Sequence, residues 1–260
     1  MIRSLWIAAT GMRAQQLEQD VIANNLANIN TTGFKKSRID FQDLMYQVSS
    51  QSGSETSAGV QLPSGIQVGL GVKVVSVSKN FSQGDYQQTG NSFDWAIEGS
   101  GFFQLDNNGT TVYTRGGNFK LDKDGYLCNP EGLRLIPNVQ VPSTAVSFTI
   151  DSGGTWSYSD STGASTTGGR IELARFINPA GLTAMGRNLF TTSNSSGDAI
   201  VTNPGEEGCG TITQQYLEMS NVNVIDEMVK MIAGQRAYEI NSKAIQTADD
   251  MLQVANNIKQ

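Results

Sequence analysis

The 260-residue chain contains no histidine, and this absence removes several classes of site at once. A Ser-His-Asp triad, a Cys-His pair and any metal centre with imidazole ligands all need a residue that the sequence lacks. The two cysteines, Cys128 and Cys209, are too few and too far apart for a zinc site or a disulfide framework. They could pair with each other or be buried as small apolar side chains, and we favour the second interpretation.

The charge balance and the lack of long apolar runs argue against two further classes. The chain has 18 basic and 24 acidic residues, and its net charge of −6 argues against a nucleic-acid binder, which needs a basic face. No run approaches the ~18 apolar residues of a membrane-spanning helix. The apolar stretch at the start covers only Leu5 to Ala9, which is shorter than the core of a signal peptide. We therefore expect no membrane insertion, and a chain that stays in the cytoplasm or leaves it without a cleaved signal.

A first helix is predicted from Ser4 to about Ile29, a stretch without proline in which Gly11 is the only glycine. Alternating steps of three and four residues give a coiled-coil seam that is polar at two adjacent positions. Its members are Leu5, Ala8, Met12, Gln15, Gln19, Ile22, Leu26 and Ile29. We expect Gly33 to cap the end of this helix with a positive φ.

A second helix is predicted between Asn223 and Gln260, where Gly234 is the only glycine and proline is absent. One apolar stripe consists of Val224, Met228, Met231, Tyr238, Ile245 and Leu252. A neighbouring stripe consists of Ala233, Ala237, Ile240, Ala244, Met251, Val254 and Ile258. Two stripes on one helix need two packing partners. Either the two helices close over their own domain, or part of this surface is buried only in an oligomer.

The middle of the chain has the period-two pattern of strands separated by Gly-rich turns. Strands are predicted at Val72–Val77, Trp95–Ile97, Phe102–Leu105, Val112–Thr114 and Phe119–Leu121. Asn107-Asn108-Gly109 and Asp122–Gly125 separate such strands and are typical of hairpin turns. The predicted fold class is therefore α+β, with N- and C-terminal helices forming a coiled-coil core domain and a central antiparallel β domain.

Two polar stretches, Gln47–Gly65 and Asp151–Gly169, are dominated by small polar residues and glycine. Such a composition has too little apolar content to fold alone, and we interpret both as loops. Trp156 and Tyr158 leave open a second interpretation for the later stretch, in which it is the tip of a long hairpin.

No arrangement of residues indicates catalysis. Asp122–Gly125 lacks the closing Glu of a calcium loop and is interpreted as a hairpin turn. Arg115 lies among predicted strands, where we favour a structural ion pair over an anion site. Glu206-Glu207 and Asp249-Asp250 are interpreted as solvated carboxylates. We expect no catalytic residue, no cofactor and no metal.

Four sequence motifs resemble those of one known family, in the same order along nearly the whole chain. At the start, Ile22–Asn28 followed by Thr31–Lys36 resembles the N-terminal signature of the bacterial flagellar axial proteins, which form rod, hook and hook-associated structures. Near the end, Glu218–Val224 followed by Met231–Glu239 resembles their C-terminal signature. Motifs at both termini indicate that the resemblance is not confined to one domain.

The middle of the chain supports the same resemblance. Ala96–Gln104, Tyr113–Phe119 and Gly181–Phe190 are similar to the β domain that rod and hook proteins share. The chain length and Leu62–Val72 resemble the distal rod branch of the family, whereas hook proteins are longer. Gln215 departs from the pattern, because many relatives have Gly before the residue that is Tyr216 here.

This resemblance implies a structural role. Family members leave the cell through the flagellar type III export apparatus without a cleaved signal, and their terminal helices build the inner tube of a helical homopolymer. It implies a place in the basal body, spanning the periplasm, with proximal rod proteins, the hook protein and the P and L ring proteins as neighbours. Such a rod transmits torque from motor to hook. The alternatives are a proximal rod or hook protein and, from another class, a secreted peptidoglycan-acting enzyme.

The resemblance also implies domains and interface residues. Residues 1–45 would form the N-terminal helix and its connection, 46–66 a polar insert of the distal rod type, 67–210 the outer β domain and 211–260 the C-terminal helix. The residues expected to mediate assembly are Leu5, Met12, Ile22, Asn25, Leu26, Ile29, Val224, Met228, Met231, Tyr238, Ile245 and Leu252. The segment expected to straighten the rod, by wedging between axially adjacent subunits, includes Gln47, Gln61, Leu62, Pro63 and Ser64.

Overall fold

A computed structural model describes residues 2–51, 64–160 and 163–257. Helices α1 (Ile2–Ala27) and α2 (Val224–Asn257) flank a β-rich region, so the α+β class is confirmed. The strands before residue 100 are β1 (Ser37–Asp43), β2 (Tyr46–Ser50), β3 (Ile66–Gly69), β4 (Val72–Lys79), β5 (Tyr86–Gln88) and β6 (Trp95–Glu98). No helix in the described ranges is long and apolar enough to cross a membrane.

The remaining strands follow the same chain order. Up to residue 150 they are β7 (Phe102–Asn107), β8 (Thr110–Thr114), β9 (Lys120–Leu121), β10 (Leu127–Cys128), β11 (Arg134–Ile136) and β12 (Ala145–Ile150). Up to residue 191 they are β13 (Thr155–Asp160), β14 (Ser165–Arg170), β15 (Leu173–Arg175), β16 (Thr183–Gly186) and β17 (Leu189–Thr191). The last three are β18 (Ile200–Thr202), β19 (Thr211–Gln214) and β20 (Tyr216–Glu218).

Contacts divide the chain into two compact units. The helical unit comprises the described parts of residues 1–26, 37–78 and 224–260, and therefore both helices with strands β1 to β4. The β unit comprises the described parts of residues 27–36 and 79–223. The division into domains at residues 45, 66 and 210 stays a prediction.

The β unit is built around one large antiparallel sheet. Its strand order is β16-β17-β8-β7-β11-β10-β9, and β15 joins both β7 and β18. The turn between β7 and β8 has positive φ at Asn108 (53°) and Gly109 (86°), which is the mirror-image turn that suits the strand twist. Gly125 (φ 79°) closes the turn between β9 and β10. Both hairpins predicted from Asn-Gly and Asp-Gly are therefore confirmed.

Strand β7 carries side chains into two cores because successive residues point to opposite faces. Phe103 and Leu105 enter a cluster that contains Trp95, and all three are fully buried. Phe102 enters a second cluster, where its ring packs edge-to-face on Phe176 with 5.6 Å between the centroids. The unit thus closes its own apolar interior.

The first polar stretch is partly a hairpin rather than a loop. Strand β2 pairs with β3, with Gln47 opposite Val68 and Ser50 opposite Ile66. The proposed straightening residues Gln61, Leu62 and Pro63 lie outside the described residues.

The second polar stretch forms a long hairpin, which is the second interpretation that Trp156 and Tyr158 suggested. Strands β12, β13 and β14 make a three-stranded antiparallel sheet. Trp156 on β13 stacks on Phe148 with 6.1 Å between the ring centroids and on Tyr158 with 6.3 Å. The simple loop interpretation is wrong here, because aromatic packing supplies the apolar contact that the small polar residues lack.

Helix α1 ends at Ala27, and the expectation that Gly33 caps it is wrong. A turn follows the helix, in which the Thr31 amide donates to the Asn28 carbonyl at 3.2 Å. Gly33 does have a positive φ of 69°, but for another reason. A Cβ at this position would lie 2.6 Å from the Gly116 nitrogen, so the close approach to that backbone requires glycine.

Gly168 lies directly under the Trp156 indole, where a Cβ would fall 2.2 Å from ring atoms, whereas a Cβ at Gly169 would lie 3.7 Å from the indole nitrogen. We expect Gly168→Ala to lower the free energy of unfolding by about 1–3 kcal/mol through overpacking. Gly169→Ala, an ordinary contact in the same strand, should change it by less than about 1 kcal/mol. Urea unfolding followed by tryptophan fluorescence compares the two. Equal losses would contradict this account.

Candidate assembly surface and the ion cluster of the β unit

Within the helical unit, α1 and α2 run antiparallel and meet through small and polar side chains. Near the end of α1, the Asn25 Nδ2 donates to the Glu227 Oε2 at 3.1 Å. Near its start, a Cβ built on Gly11 would lie 3.4 Å from the Cγ of Asn241, so the two helices are close there as well. Gly234 of α2 faces the Gln15 side chain in the same way, at 3.4 Å.

The face of α2 that meets α1 repeats every seven residues. Its members are Glu227, Gly234, Asn241 and Ala248, all of them buried or half-buried. A repeat of seven keeps one face of a helix against its partner over many turns. None of these four belongs to either apolar stripe, although Met231, Ile245 and Leu252 of the first stripe lie beside them and are half-buried. The contact inside the subunit therefore covers part of that stripe and leaves Ile240, Met251 and Val254 of the second stripe exposed.

Large apolar side chains of α2 are consequently exposed. More than half of the surface of Ile225, Val229, Ile232, Ile240 and Val254 is accessible. Elsewhere in the helical unit, Trp6 on α1 is 68% exposed. Met45, which directly precedes β2, and Ile66 of β3 are 81% and 60% exposed. Large apolar side chains exposed in this number are typical of protein interaction sites.

The proposed assembly residues fall into three groups by burial. Ile22 and Asn25 are buried inside the subunit. Leu5, Met12, Leu26, Ile29, Met231, Ile245 and Leu252 are partly buried. Val224, Met228 and Tyr238 are exposed. Their role in assembly stays a prediction, and the exposed group is the one with apolar surface to offer a neighbour.

Within the β unit, three charged side chains form a buried cluster. Glu218 of β20 accepts from the Lys35 Nζ on one oxygen and from the Arg115 Nε on the other, both at 2.6 Å. All three side chains are at least 95% buried. The structural ion pair expected for Arg115 is confirmed.

The remaining donors of the cluster are satisfied by backbone carbonyl groups. The Arg115 guanidinium also donates to the carbonyls of Ile97, Gly99 and Gly101. The Lys35 Nζ donates to the Ser82 carbonyl at 2.8 Å. Because buried charges are stable only when paired and hydrogen-bonded, this network ties the segment after α1 to the strands of the unit.

The cluster shifts two pKa values. Burial by itself would raise the pKa of Glu218, but Arg115, Lys35 and the Gly84 amide together hold it below its ordinary value. Burial lowers the pKa of Lys35, although the neighbouring Glu218 opposes that shift. Glu218 and Lys35 were missed by sequence reasoning, since the pair is 183 residues apart in the chain and no spacing pattern points to it.

The structure also shows the state of the two cysteines and the backbone at Gln215. Cys128 and Cys209 are free and buried, which confirms the interpretation as small apolar side chains. Gln215, which departs from the family pattern, keeps the left-handed backbone that suits glycine, with φ of 66°. Its amide donates to the Asp94 carbonyl at 2.7 Å, so the turn between β19 and β20 is held despite the side chain.

Comparison with known proteins gives matches in three parts of the chain. The flagella basal body rod protein family matches residues 5–35. The D1 domain of the flagellar hook protein FlgE/F/G matches residues 96–158. The C-terminal region of the flagellar basal body rod FlgEFG proteins matches residues 213–258. The matches thus include parts of α1, of the β unit and of α2.

Individual relatives match over the full length. The chain is 48% identical to the flagellar basal-body rod protein FlgG of Borreliella burgdorferi over 264 residues, covering 100% of both. It is 40% identical to FlgG of Bacillus subtilis, also over 100% of both. It is 44% identical to the flagellar hook protein FlgE of Treponema pallidum over 137 residues, which are 52% of this chain and 29% of the relative.

Terminal helices around an antiparallel β region, with matches at both ends and in the middle, define a flagellar axial protein of the rod and hook class. Within that class the chain belongs to the FlgG family of flagellar basal-body rod proteins, because it matches those relatives from end to end. It is a structural subunit of the rod and not an enzyme.

Replacement of Glu218 by Gln should expose the cost of the buried cations. Lys35 and Arg115 would remain desolvated without an anion, so we expect Glu218→Gln to lower the free energy of unfolding by about 3–5 kcal/mol. Glu206→Gln is the matched control, because its ion pair with Arg170 is exposed to solvent and should contribute little to the free energy of unfolding. The lowered pKa of Glu218 means that its stabilisation is complete above its unfolded pKa and is lost as the pH falls through the folded value. Urea unfolding between neutral and acid pH should show a loss at acid pH that Glu218→Gln reduces.

Proposed function

We propose that this chain is the distal rod subunit, which polymerises into a helical tube that carries torque from the motor to the hook. The observation that supports this most directly is the exposed apolar surface of the helical unit, on α2 above all. Moving apolar surface out of water into a protein contact is favourable by about 25 cal/mol per Å². Contact with a neighbouring subunit would bury these side chains and gain that free energy.

The position of this surface supports a polymer rather than a closed dimer. Exposed apolar residues lie on one side of α2, at Ile225, Val229, Ile232 and Ile240, and at separate positions on α1 (Trp6) and on β3 (Ile66). Exposed apolar positions on different elements of one unit can contact different neighbours. A head-to-tail contact whose rotation does not close produces an open helical assembly, in which each subunit has neighbours on more than one side. In that assembly the terminal helices would pack as a coiled-coil inner wall.

The β unit differs, since it closes its own core and can stand apart from such a wall. Its fully buried residues include Trp95, Phe103 and Leu105. We propose that it faces outward, where the P and L ring proteins surround the rod as it spans the periplasm. Proximal rod proteins and the hook protein would adjoin the two ends of the polymer, and the flagellar type III apparatus would export the chain without a cleaved signal.

The segment from Gln47 to Ser64 is proposed to wedge between axially adjacent subunits and to keep the rod straight. One contact supports this, because the Arg3 Nη1 of α1 donates to the Gln47 Oε1 of β2 at 2.9 Å. Tyr46 and Val48 on the same strand are each more than half exposed. A hairpin held against α1 with apolar side chains exposed is suited to contact a neighbouring subunit.

The assembly role of α2 can be tested at Met228, which is half exposed in the subunit. Met228→Asp should leave the unfolding transition of the subunit within about 0.5 kcal/mol, because the change is at the surface. Burial of the unpaired carboxylate between subunits would be costly, so polymerisation should fail. Electron microscopy and sedimentation measure this. Met228→Leu keeps an apolar side chain at the same position and should still polymerise. Normal tubes from Met228→Asp would refute this interface.

The wedge can be tested by removal of residues 49–61, most of which lie outside the described residues. If the segment blocks sliding between subunits, its deletion should give curved, hook-like tubes without abolishing polymerisation. A matched variant replaces residues 52–61 with Gly and Ser at constant length, and it should also curve if the sequence is what packs. A flexible linker would tolerate both changes, since loop-closure free energy varies slowly with length. Tubes as straight as the parent in electron micrographs would contradict the wedge.

A further inference from the structure

The contact between α1 and α2 contains one buried polar pair. Asn25 is 1% exposed and Glu227 is 2% exposed, and among the described side chains of the two helices they are the polar residues that are buried. Their 3.1 Å hydrogen bond joins residues 202 positions apart in the chain. The pair therefore links the C-terminal end of one helix to the N-terminal end of the other.

Every polar atom of this pair has a partner. The Asn25 Oδ1 accepts from the Ser37 amide at 2.9 Å, and the Asn25 Nδ2 donates to the Ser37 carbonyl at 2.9 Å as well as to Glu227. The second oxygen of Glu227 accepts from the Lys230 Nζ at 2.8 Å. Separation of the two side chains inside the contact would leave a buried carboxylate and a buried amide hydrogen without partners, which is costly.

The other residues of this contact allow more than one alignment. Gly234, Asn241 and Ala248 succeed one another at intervals of seven, and a shift of α2 by seven residues returns the same faces to each other about 10 Å further along. Met231, Ile245 and Leu252, which are half-buried beside this row, belong to a second series spaced by seven residues, so the shift replaces one apolar side chain by another. Contacts that recur in this way leave the register undetermined by themselves.

The polar pair penalises both shifted alignments. In the observed alignment Gly11 lies opposite Asn241 and Asn25 lies opposite Glu227. If α2 shifts by seven residues in one direction, Glu227 lies opposite Glu18, which carries the same charge. Asn25 then lies opposite a position that precedes the first residue of α2. If α2 shifts by seven residues in the other direction, Asn25 lies opposite Gly234, which has no side chain. Glu227 then lies opposite a position that follows the last residue of α1.

We propose that Asn25 and Glu227 are the register-determining residues of the subunit, and that they select one antiparallel alignment of α1 on α2. In pairs of helices, one buried polar contact can fix the alignment where the remaining contacts are interchangeable. The alignment sets the positions of the exposed apolar residues of α2 along the helix axis relative to those of α1. The inference concerns contacts inside one subunit and does not depend on the proposed function.

Disulfide trapping in the full-length chain measures the register directly. Cys128 and Cys209 are first replaced by Ala. Gly11→Cys is then combined with Asn241→Cys, which reports the observed alignment, or with Gly234→Cys or Ala248→Cys, which report the alignments shifted by seven residues. Links within one chain are identified by mass spectrometry of the monomer band after mild oxidation. The parent should form the link between positions 11 and 241 and at most traces of the other two.

Two variants of Glu227 separate register control from general stability. Glu227→Met keeps the bonds of Asn25 to Ser37 but removes its partner on α2, and the two shifted links should increase at least tenfold. Glu227→Gln keeps an oxygen that accepts from Asn25 while losing the Lys230 ion pair, as Glu227→Met does, and should trap like the parent. The proposal is overturned if Glu227→Met still yields only the link between positions 11 and 241, since the chain connections would then fix the register. It is equally overturned if Glu227→Gln shifts as far as Glu227→Met, or if the parent forms all three links alike.

Discussion

Helix α2 meets α1 along a row of small and polar side chains flanked by half-buried Met231, Ile245 and Leu252, and the distribution of apolar surface over the helical unit follows from that contact. Gly11 and Gly234 let the two backbones approach, while Asn25 and Glu227 bond to each other across the contact. Because the pairing inside the subunit uses this face, Ile225, Ile232 and Ile240 stay exposed. A subunit that satisfied these residues internally would have little left to bind a neighbour.

The β unit follows the opposite rule. Its two apolar clusters are closed by its own strands, and the charges of Lys35 and Arg115 are neutralised in part by Glu218 beneath the surface. Lys35 belongs to the segment that follows α1, so this segment is fixed by charge and hydrogen bonds rather than by apolar packing alone. One chain thus combines a β unit that closes its own core with a helical unit that leaves large apolar side chains exposed.

Local patterns were predicted well because local interactions decide them. The helices extend close to their predicted limits, since long stretches without proline and with a three-four apolar period favour a helix whatever surrounds them. The turns at Gly109 and Gly125 follow from backbone conformations that glycine adopts readily. The loop interpretation of residues 151–169 was wrong because Trp156 packs on Phe148, a contact made across a strand pair that composition does not reveal.

The sequence by itself determined the α+β class and the family, and it predicted two apolar stripes on α2. Only the tertiary structure decided which face of α2 is used inside the subunit, because the seven-residue spacing of Glu227, Gly234, Asn241 and Ala248 is no stronger in the sequence than that of the apolar stripes. It also decided that Gly33 serves a close approach to Gly116 rather than a helix cap, and that Lys35 meets Glu218. These contacts join residues far apart in the chain, and their free energies depend on burial, which only the folded arrangement sets.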